Sequence, residues 1–204
     1  TNDELVESFN LYVARFNAEN KESIESGDTE ALVPSSSEFI KKASGIERRY
    51  VQDKAGILDV NRMRPKLKER PNSEVSILAE MAIRASKQAL EEAGIRSSDI
   101  DAVICGCSNL QRAYPAIAIE VQQELNIQGY AYDMNVACSS ATFSIQNAYN
   151  DITSGVASKI LVVNPEICSG HLNFKDRDAH FIFGDACTAI VLEKETGSNG
   201  SFRV

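Results

Sequence analysis

The sequence predicts an α/β fold built on a mixed, mainly parallel sheet with helices on both faces. Segments with apolar residues at helical spacing alternate with short apolar runs. Two of those runs, Ala102-Val103-Ile104-Cys105-Gly106-Cys107 and Lys159-Ile160-Leu161-Val162-Val163-Asn164, lack the in-out alternation of a one-sided sheet. Strands of that kind are covered by helices on each side. No internal repeat is evident along the 204 residues, and the 43% hydrophobic content suffices for a real core.

The first element is a helix over about residues 1–20. Thr1 and Glu4 have the form of a capping box, and Leu5, Val6, Phe9, Tyr12, Val13 and Phe16 follow at helical spacing. Residues 21–34 are polar, and a shorter helix is expected around residues 36–43. Gly56, Pro65 and Pro71, together with Lys54, Arg62, Arg64, Lys66, Lys68 and Arg70, mark an exposed basic loop over residues 53–72. Asn72 or Ser73 is the expected cap of a strong helix through Ile77, Leu78, Met81, Ala82, Ala85, Ala89, Leu90 and Ala93, ended by Gly94. After the strand at residues 102–107, a turn at Pro115 leads into a helix to about Leu125. A strand to Val136, a helix from Cys138 to about Ser154, and apolar strands at residues 159–164 and 186–193 complete the pattern. The ending Ser201-Phe202-Arg203-Val204 reads as mid-strand and there is no initiator Met, so a piece of a longer protein is expected.

A net charge of −8 argues against nucleic acid or an anionic membrane surface as partner of the chain as a whole. Five cysteines without regular spacing fit a reducing compartment better than a disulfide framework, which points to the cytoplasm. No apolar run approaches the roughly 18 residues of a membrane span, and no signal-type start is present.

The chemistry centres on Cys138. The stretch from Tyr130 to Ala141 runs an extended strand into a cysteine that opens a helix, where unpaired N–H groups and the helix dipole favour a thiolate. A buried structural thiol is the other reading of the same residues. Ser139, Ser140 and Thr142 give that end a polar, reachable character.

Four stretches in order carry a family signature: Ser44-Gly45-Ile46-Glu47-Arg48-Arg49-Tyr50, Arg112-Ala113-Tyr114-Pro115, Val136-Ala137-Cys138 and Phe183-Gly184-Asp185-Ala186. From about Ser35 onward the chain resembles the N-terminal half of a β-ketoacyl-acyl carrier protein synthase III, a condensing enzyme of the thiolase-like layered fold. The resemblance implies one N-terminal half-domain over residues 1–204 with polar additions at about 21–34 and 53–72, and a buried nucleophile helix. It implies that Cys138 takes an acyl group from acyl-coenzyme A and passes it to malonyl-acyl carrier protein, which loses carbon dioxide as it attacks. The Cys138 N–H would face the oxyanion. Tyr114 matches an aromatic residue at the far end of a partner's acyl tunnel, which implies a homodimer. Phe39 matches the tryptophan that stacks on the coenzyme A adenine, and Ala43 matches an arginine on its other face. The family's catalytic histidine and asparagine come from its second half, and its first strand would precede Thr1. Neither His171 nor His180 is assigned to the site, and no cofactor or metal is expected.

Other signals are weighed on the residues. Cys105 and Cys107 point to opposite faces of a strand and do not share an ion easily. Cys168, His171, His180 and Cys187 form a loose zinc-like set, set against Cys187 opening a buried strand. Asp185 reads as a turn residue holding backbone donors. The basic run is read as a solvated face, with steering of carrier protein or coenzyme A phosphates as its functional alternative. The function classes kept beside condensation are acyl transfer without condensation and a non-catalytic module dimerising through residues 112–125. A cysteine hydrolase is disfavoured because no histidine lies in a stretch that pairs with the Cys138 helix start.

Overall fold

The computed structural model describes residues 1–194. The expected end in mid-strand at residues 201–204 lies outside the described residues. The chain divides into two compact units, Thr1–Lys68 with Ile167–Asp185, and Glu69–Glu166 with the segment from Ala186 onward.

In the first unit, helix α1 (Asn2–Glu19) starts at the expected capping box, with the Thr1 side chain accepting from the Glu4 N–H and the Glu4 carboxylate accepting from the chain start. Its spacing puts Leu5, Phe9 and Val13 on one buried stripe. The polar stretch holds one short helix, α2 (Lys21–Glu25). Helix α3 (Ser37–Ser44) is capped by Ser36 and ended by Gly45 at φ 72°, a left-handed conformation that glycine adopts without steric cost. Helix α4 (Lys54–Leu58) is capped by Asp53.

These helices share a core of Leu5, Phe9, Val13, Ile40, Ile57, Met63, Phe174 and Phe181. The basic loop is therefore not wholly solvated: Met63 is fully buried within it, and Lys54 is paired with Glu4 at 2.5 Å. His180 also enters this core, stacked on Phe9 at 4.6 Å between centroids and edge-on to Phe181. Its Nδ1 meets the Asp176 carbonyl at 3.0 Å while Nε2 has no partner.

In the second unit, helix α5 (Ile77–Ala93) begins one turn later than Asn72 or Ser73 would place it. Its cap is Ser76, whose hydroxyl accepts from the Ala79 N–H at 3.1 Å and donates to Glu120 at 2.7 Å. Residues before it form a turn closed by the Glu74 N–H on the Pro71 carbonyl. Gly94 ends the helix at φ 65°, as expected. A short 3-10 turn, Ser97–Asp99, leads to strand β1 (Ala102–Gly106), helix α6 (Ile117–Glu124), strand β2 (Tyr130–Met134), helix α7 (Ser140–Thr153), strand β3 (Lys159–Ile167) and strand β4 (Asp185–Glu193).

The sheet order is β2-β1-β3-β4, with β1 parallel to both β2 and β3. Burial follows that order. All of β1 is buried and most of β3, whereas β2 is half-buried throughout. Strand β4, expected as a continuous apolar strand, alternates between half-buried and exposed residues, because it stands at the end of the described sheet.

Helices lie on opposite faces. Ala102 and Ile104 of β1 pack with Ile160, Val162 and Ala148 of α7, joined by Tyr130, Tyr132 and Met134 of β2. Asp133, pointing the other way from β2, accepts the Ile117 and Ala118 N–H groups at the start of α6, both at 2.8 Å. Helix α6 has no side-chain cap of its own, so this strand carboxylate supplies it.

Burial holds the His180 imidazole below its ordinary pKa, with the Arg49 charge acting in the same direction. The unfolded chain therefore binds the proton more readily. Stability is complete above about pH 6.5 and falls as pH drops from there through the depressed native value. Thermal unfolding followed from pH 7.5 to 5 should show a falling midpoint, and His180→Phe should flatten that part of the profile. An unchanged slope in the variant would sink this assignment.

Candidate active site around Cys138

Strand β2 ends at Met134, and the chain turns through Asn135, Val136 and Ala137 into a 3-10 turn, Ala137–Ser139, that precedes α7. Short polar side chains make the turn. Asn135 Oδ1 accepts the Ala137 N–H at 2.9 Å, a local bond of the kind that turns use. Ser140 Oγ accepts the Val136 N–H at 2.9 Å and donates to the Ala137 carbonyl at 2.7 Å. Ala137 sits at φ 47°, a left-handed conformation that costs a non-glycine residue roughly 1–2 kcal/mol. Cys138 stands on this turn, exposed, and not on the first turn of the α-helix as the sequence reading has it.

The neighbouring N–H groups are engaged: Val136 on Ser140, Ala137 on Asn135, and Ser139 on the Val136 carbonyl at 3.0 Å. The Cys138 N–H has no acceptor among the described residues. An exposed sulfur beside an unengaged N–H is a workable arrangement for attack on a carbonyl, the N–H receiving the charge that builds on oxygen.

What fixes this turn is the packing of α7. The helix is buried only along Ser140, Ser144 and Ala148, so the expected buried nucleophile helix is buried on one stripe, while Phe143 and Tyr149 are exposed. That stripe of small residues lies on β1 at Gly106. A Cβ on Gly106 would come closer than 3.0 Å to Ser144 Oγ, Asn164 Nδ2 and the Ser140 carbonyl. Asn164 donates to the Gly106 carbonyl at 3.0 Å.

Tyr114 lies in the same unit, 76% exposed, and the Tyr114–Pro115 peptide is cis. Arg112 beside it is occupied within the chain. Its guanidinium meets Glu120 at 2.5 Å and the Glu74 carbonyl at 2.8 Å. Glu120 also accepts the Ser76 N–H and hydroxyl, so these residues tie the start of α5 to α6.

Phe39 belongs to the other unit. It is half-buried on α3, edge-on to Phe181 at 5.9 Å, and the Arg177 guanidinium lies over its ring at 4.0 Å. Ala43, the position matched to an arginine, carries no guanidinium, and the one that lies over Phe39 is that of Arg177. Sequence reading missed it because the partner comes from the distant segment of the first unit. Arg177 is held in place by donating to the Pro34 carbonyl at 2.9 Å.

The remaining candidates sort by burial. The Cys105 thiol is pushed up by burial, with the Asp133 charge adding to it, and burial pushes the Cys187 thiol up to about 12. Both are thus held as neutral thiols. His171 is exposed and His180 is a core residue. No group of three or more His, Cys, Asp or Glu side chains suited to a metal ion occurs among the described residues. Asp185 accepts from the Ser169 N–H at 2.8 Å, the Ser169 hydroxyl at 2.7 Å and the Gln52 N–H at 2.7 Å, the turn-holding role the sequence suggests.

Gly106→Ala should destabilise the chain by about 1–3 kcal/mol, the usual cost of overpacking, because backbone atoms of α7 have to move. Urea unfolding measures this, and a midpoint equal to that of the parent chain would show that the helix is not seated as described.

The family model for 3-oxoacyl-[acyl-carrier-protein] synthase III matches residues 132–204. A β-ketodecanoyl-[acyl-carrier-protein] synthase of Pseudomonas aeruginosa is 62% identical over 189 residues, covering 93% of this chain and 54% of that protein. A β-ketoacyl-[acyl-carrier-protein] synthase III of Ruegeria is 30% identical over 179 residues, 87% of this chain and 49% of that protein. Among solved structures, the synthase III of Aquifex aeolicus superposes with a TM-score of 0.64 at 28% identity, over 79% of this chain and 46% of that one. That of Thermus thermophilus gives 0.65 at 25% identity, over 84% and 48%. The chain spans about half the length of the curated relatives it matches. Sequence and fold together show that this chain resembles the N-terminal half of a β-ketoacyl-[acyl-carrier-protein] synthase III, with the mainly parallel, thiolase-like sheet of that group.

Proposed function

We propose that this chain is the nucleophile-bearing half of a decarboxylating condensing enzyme of fatty acid synthesis, working through an acyl-Cys138 intermediate. The exposed Cys138 on its strained strand-to-helix turn supports this reading more than any other observation. The sulfur attacks the thioester carbonyl of an acyl donor, and the charge on oxygen is received by the Cys138 N–H. The donor's thiol leaves with the proton, so that one thioester replaces another at little energetic cost. In the second half-reaction a malonyl thioester on carrier protein loses carbon dioxide. The resulting carbanion attacks the acyl carbon and releases the Cys138 thiolate.

The histidine and asparagine that the resemblance implies for decarboxylation are not assigned among these residues. Transfer to Cys138 is thus the step these residues support directly. Acyl transfer without condensation uses the same first step and stays as the second reading.

Acyl-coenzyme A and acyl carrier protein are the proposed partners. Phe39, with Arg177 over it, is the proposed platform for the donor's adenine, the two parting to admit it. A homodimer contacting through the exposed Tyr114, and a cytoplasmic location, complete the proposal. Among the described residues no helix is long and apolar enough to cross a membrane. The printed name of the 62% identical relative specifies a ten-carbon β-ketoacyl product. Since a malonyl unit adds two carbons after losing carbon dioxide, an eight-carbon donor is the proposed preference.

Incubation with acyl-coenzyme A donors of two to twelve carbons, read by intact mass, tests this. The parent chain should gain one acyl group, most readily from the octanoyl donor, and Cys138→Ala should gain none. A folded parent chain that takes no acyl group, and whose Cys138 also resists iodoacetamide, would return the cysteine to a structural role and leave a dimerising module as the surviving alternative.

A further inference from the structure

Two serines open helix α7, and neither caps it in the ordinary way. Ser139 stands at the cap position without a side-chain bond to the helix. A capping hydroxyl accepts an N–H from further along the helix. That of Ser140 reaches backward instead, accepting the Val136 N–H at 2.9 Å and donating to the Ala137 carbonyl at 2.7 Å. Its hydrogen and one lone pair are thus committed to the turn that carries Cys138. Ser140 is only 3% exposed, in the stripe seated on Gly106, and the Ser144 hydroxyl donates to its carbonyl at 2.7 Å. It is a fixed post against which the turn is held.

What this post fixes is the direction of one peptide plane. The Ala137 carbonyl and the Cys138 N–H are the two ends of a single planar trans unit, and they point in opposite directions. Residues 136–139 form a turn closed by the Ser139 N–H on the Val136 carbonyl at 3.0 Å, with the Ala137–Cys138 peptide at its centre. The central peptide of such a turn has two available orientations, about half a revolution apart, which is what separates type I from type II. They differ in the side to which the central N–H points. Ser140 decides between them, because its N–H and its hydroxyl both hold the Ala137 carbonyl and leave the Cys138 N–H aimed away from Ser140.

Asn135 acts on the neighbouring peptide. Its Oδ1 takes the Ala137 N–H at 2.9 Å, and its Nδ2 reaches the Ser108 carbonyl at 3.4 Å. Ser108 is itself held by Glu166, through its N–H at 2.6 Å and its hydroxyl at 2.7 Å. The left-handed Ala137 is therefore clamped on its N–H by Asn135 and on its carbonyl by Ser140. Strain of that kind gathers at functional sites. What this orientation presents is the N–H of an exposed cysteine, with no acceptor among the described residues.

We infer that Ser140 is a positioning residue for acyl transfer to Cys138: its hydroxyl aims the Cys138 N–H at the oxygen on which charge builds, and Asn135 supports it from the other side of Ala137. This rests on the function proposed above, since a cysteine with no thioester to attack has no oxyanion to receive. In that step the sulfur adds to the thioester carbon, the carbonyl oxygen takes the electron pair, and it returns the pair as the donor's thiolate leaves. No bond to Ser140 or Asn135 is made or broken.

Two reactions of the same sulfur tell aiming from reactivity. Attack on a thioester builds charge on oxygen, whereas alkylation by iodoacetamide displaces iodide at a saturated carbon and builds none. In the 204-residue chain, Ser140→Ala should lower the rate constant for acylation by saturating octanoyl-coenzyme A at least about tenfold, part of the roughly 10²–10³-fold that loss of an oxyanion donor costs. The donor concentration giving half that rate should stay the same. Alkylation of Cys138 should keep its rate within about twofold, with the same dependence on pH, because no charged group changes. Asn135→Ala, at an exposed position that leaves the buried stripe intact, should show the same split to a smaller degree. Asn135→Ser keeps an oxygen able to close the local bond and should hold acylation within about threefold of the parent.

Acylation unchanged in both alanine variants overturns the inference and leaves the nucleophile standing. So does a loss of acylation matched by an equal loss of alkylation, which would mean that the sulfur and not the N–H had changed. A parent chain that is alkylated at Cys138 but takes no acyl group removes the function proposed above and this inference with it.

Discussion

The contact between α7 and β1 at Gly106 is the constraint from which the geometry around Cys138 follows. A helix normally stands off a sheet by the length of its side chains, and here the interface is made of Gly106 on the strand and Ser140, Ser144 and Ala148 on the helix. Buried hydroxyls at such an interface need partners. Ser144 finds its own within the helix, donating to the Ser140 carbonyl at 2.7 Å, so the stripe is polar in composition yet satisfied in place. Ser140 is both part of that stripe and the lock of the turn before it, through Val136 and Ala137. Seating the helix therefore also sets the left-handed Ala137 and brings Cys138 to the surface.

A second regularity is the use of carboxylates as backbone staples. Glu120 holds the start of α5, Asp133 the start of α6, and Glu166 the Ser108 N–H, the Ser108 hydroxyl and Asn109 after β1. In the first unit Asp53 and Asp185 do the same for loops. A carboxylate is acceptor-only and takes several N–H or O–H donors at once, which suits it to the ends of helices where donors are left over. Burial raises the Asp133 carboxyl, while the two helix N–H groups oppose that rise. The acidic composition is thus partly internal wiring.

This division also explains what the sequence made legible. Interactions that close within one helical turn leave a local mark: the Thr1–Glu4 box, the Gly94 stop, and the apolar stripe of α1 are where their residues imply. The central strands are likewise readable because they are apolar at every position. Caps supplied from far along the chain leave no local mark. Ser76 looks like any serine until Glu120 is beside it, and α6 has no cap in its own sequence because Asp133 is on a strand. The contact of Arg177 with Phe39 was marked by neither spacing nor pattern, since the two lie far apart along the chain. For the Cys138 region the strand-to-helix change of period was visible, whereas the 3-10 turn at the cysteine depends on Asn135 and Ser140 choosing backbone partners over solvent.

Four of the five thiols of the chain are then separated by position and not by identity. Cys105 lies on the innermost strand and Cys187 on β4, where burial keeps each protonated, and Cys107 is buried as well. A thiol held protonated in this way is a poor nucleophile, since the thiolate is the reactive form. Cys138 differs by standing exposed on a turn whose left-handed alanine is held there by bonds on both sides. Backbone strain of that kind persists only where the surroundings over-determine it. A relaxed turn would let the α-helix begin earlier and place Cys138 inside its first turn. The strained one leaves Cys138 exposed before the helix, with no acceptor for its N–H among the described residues.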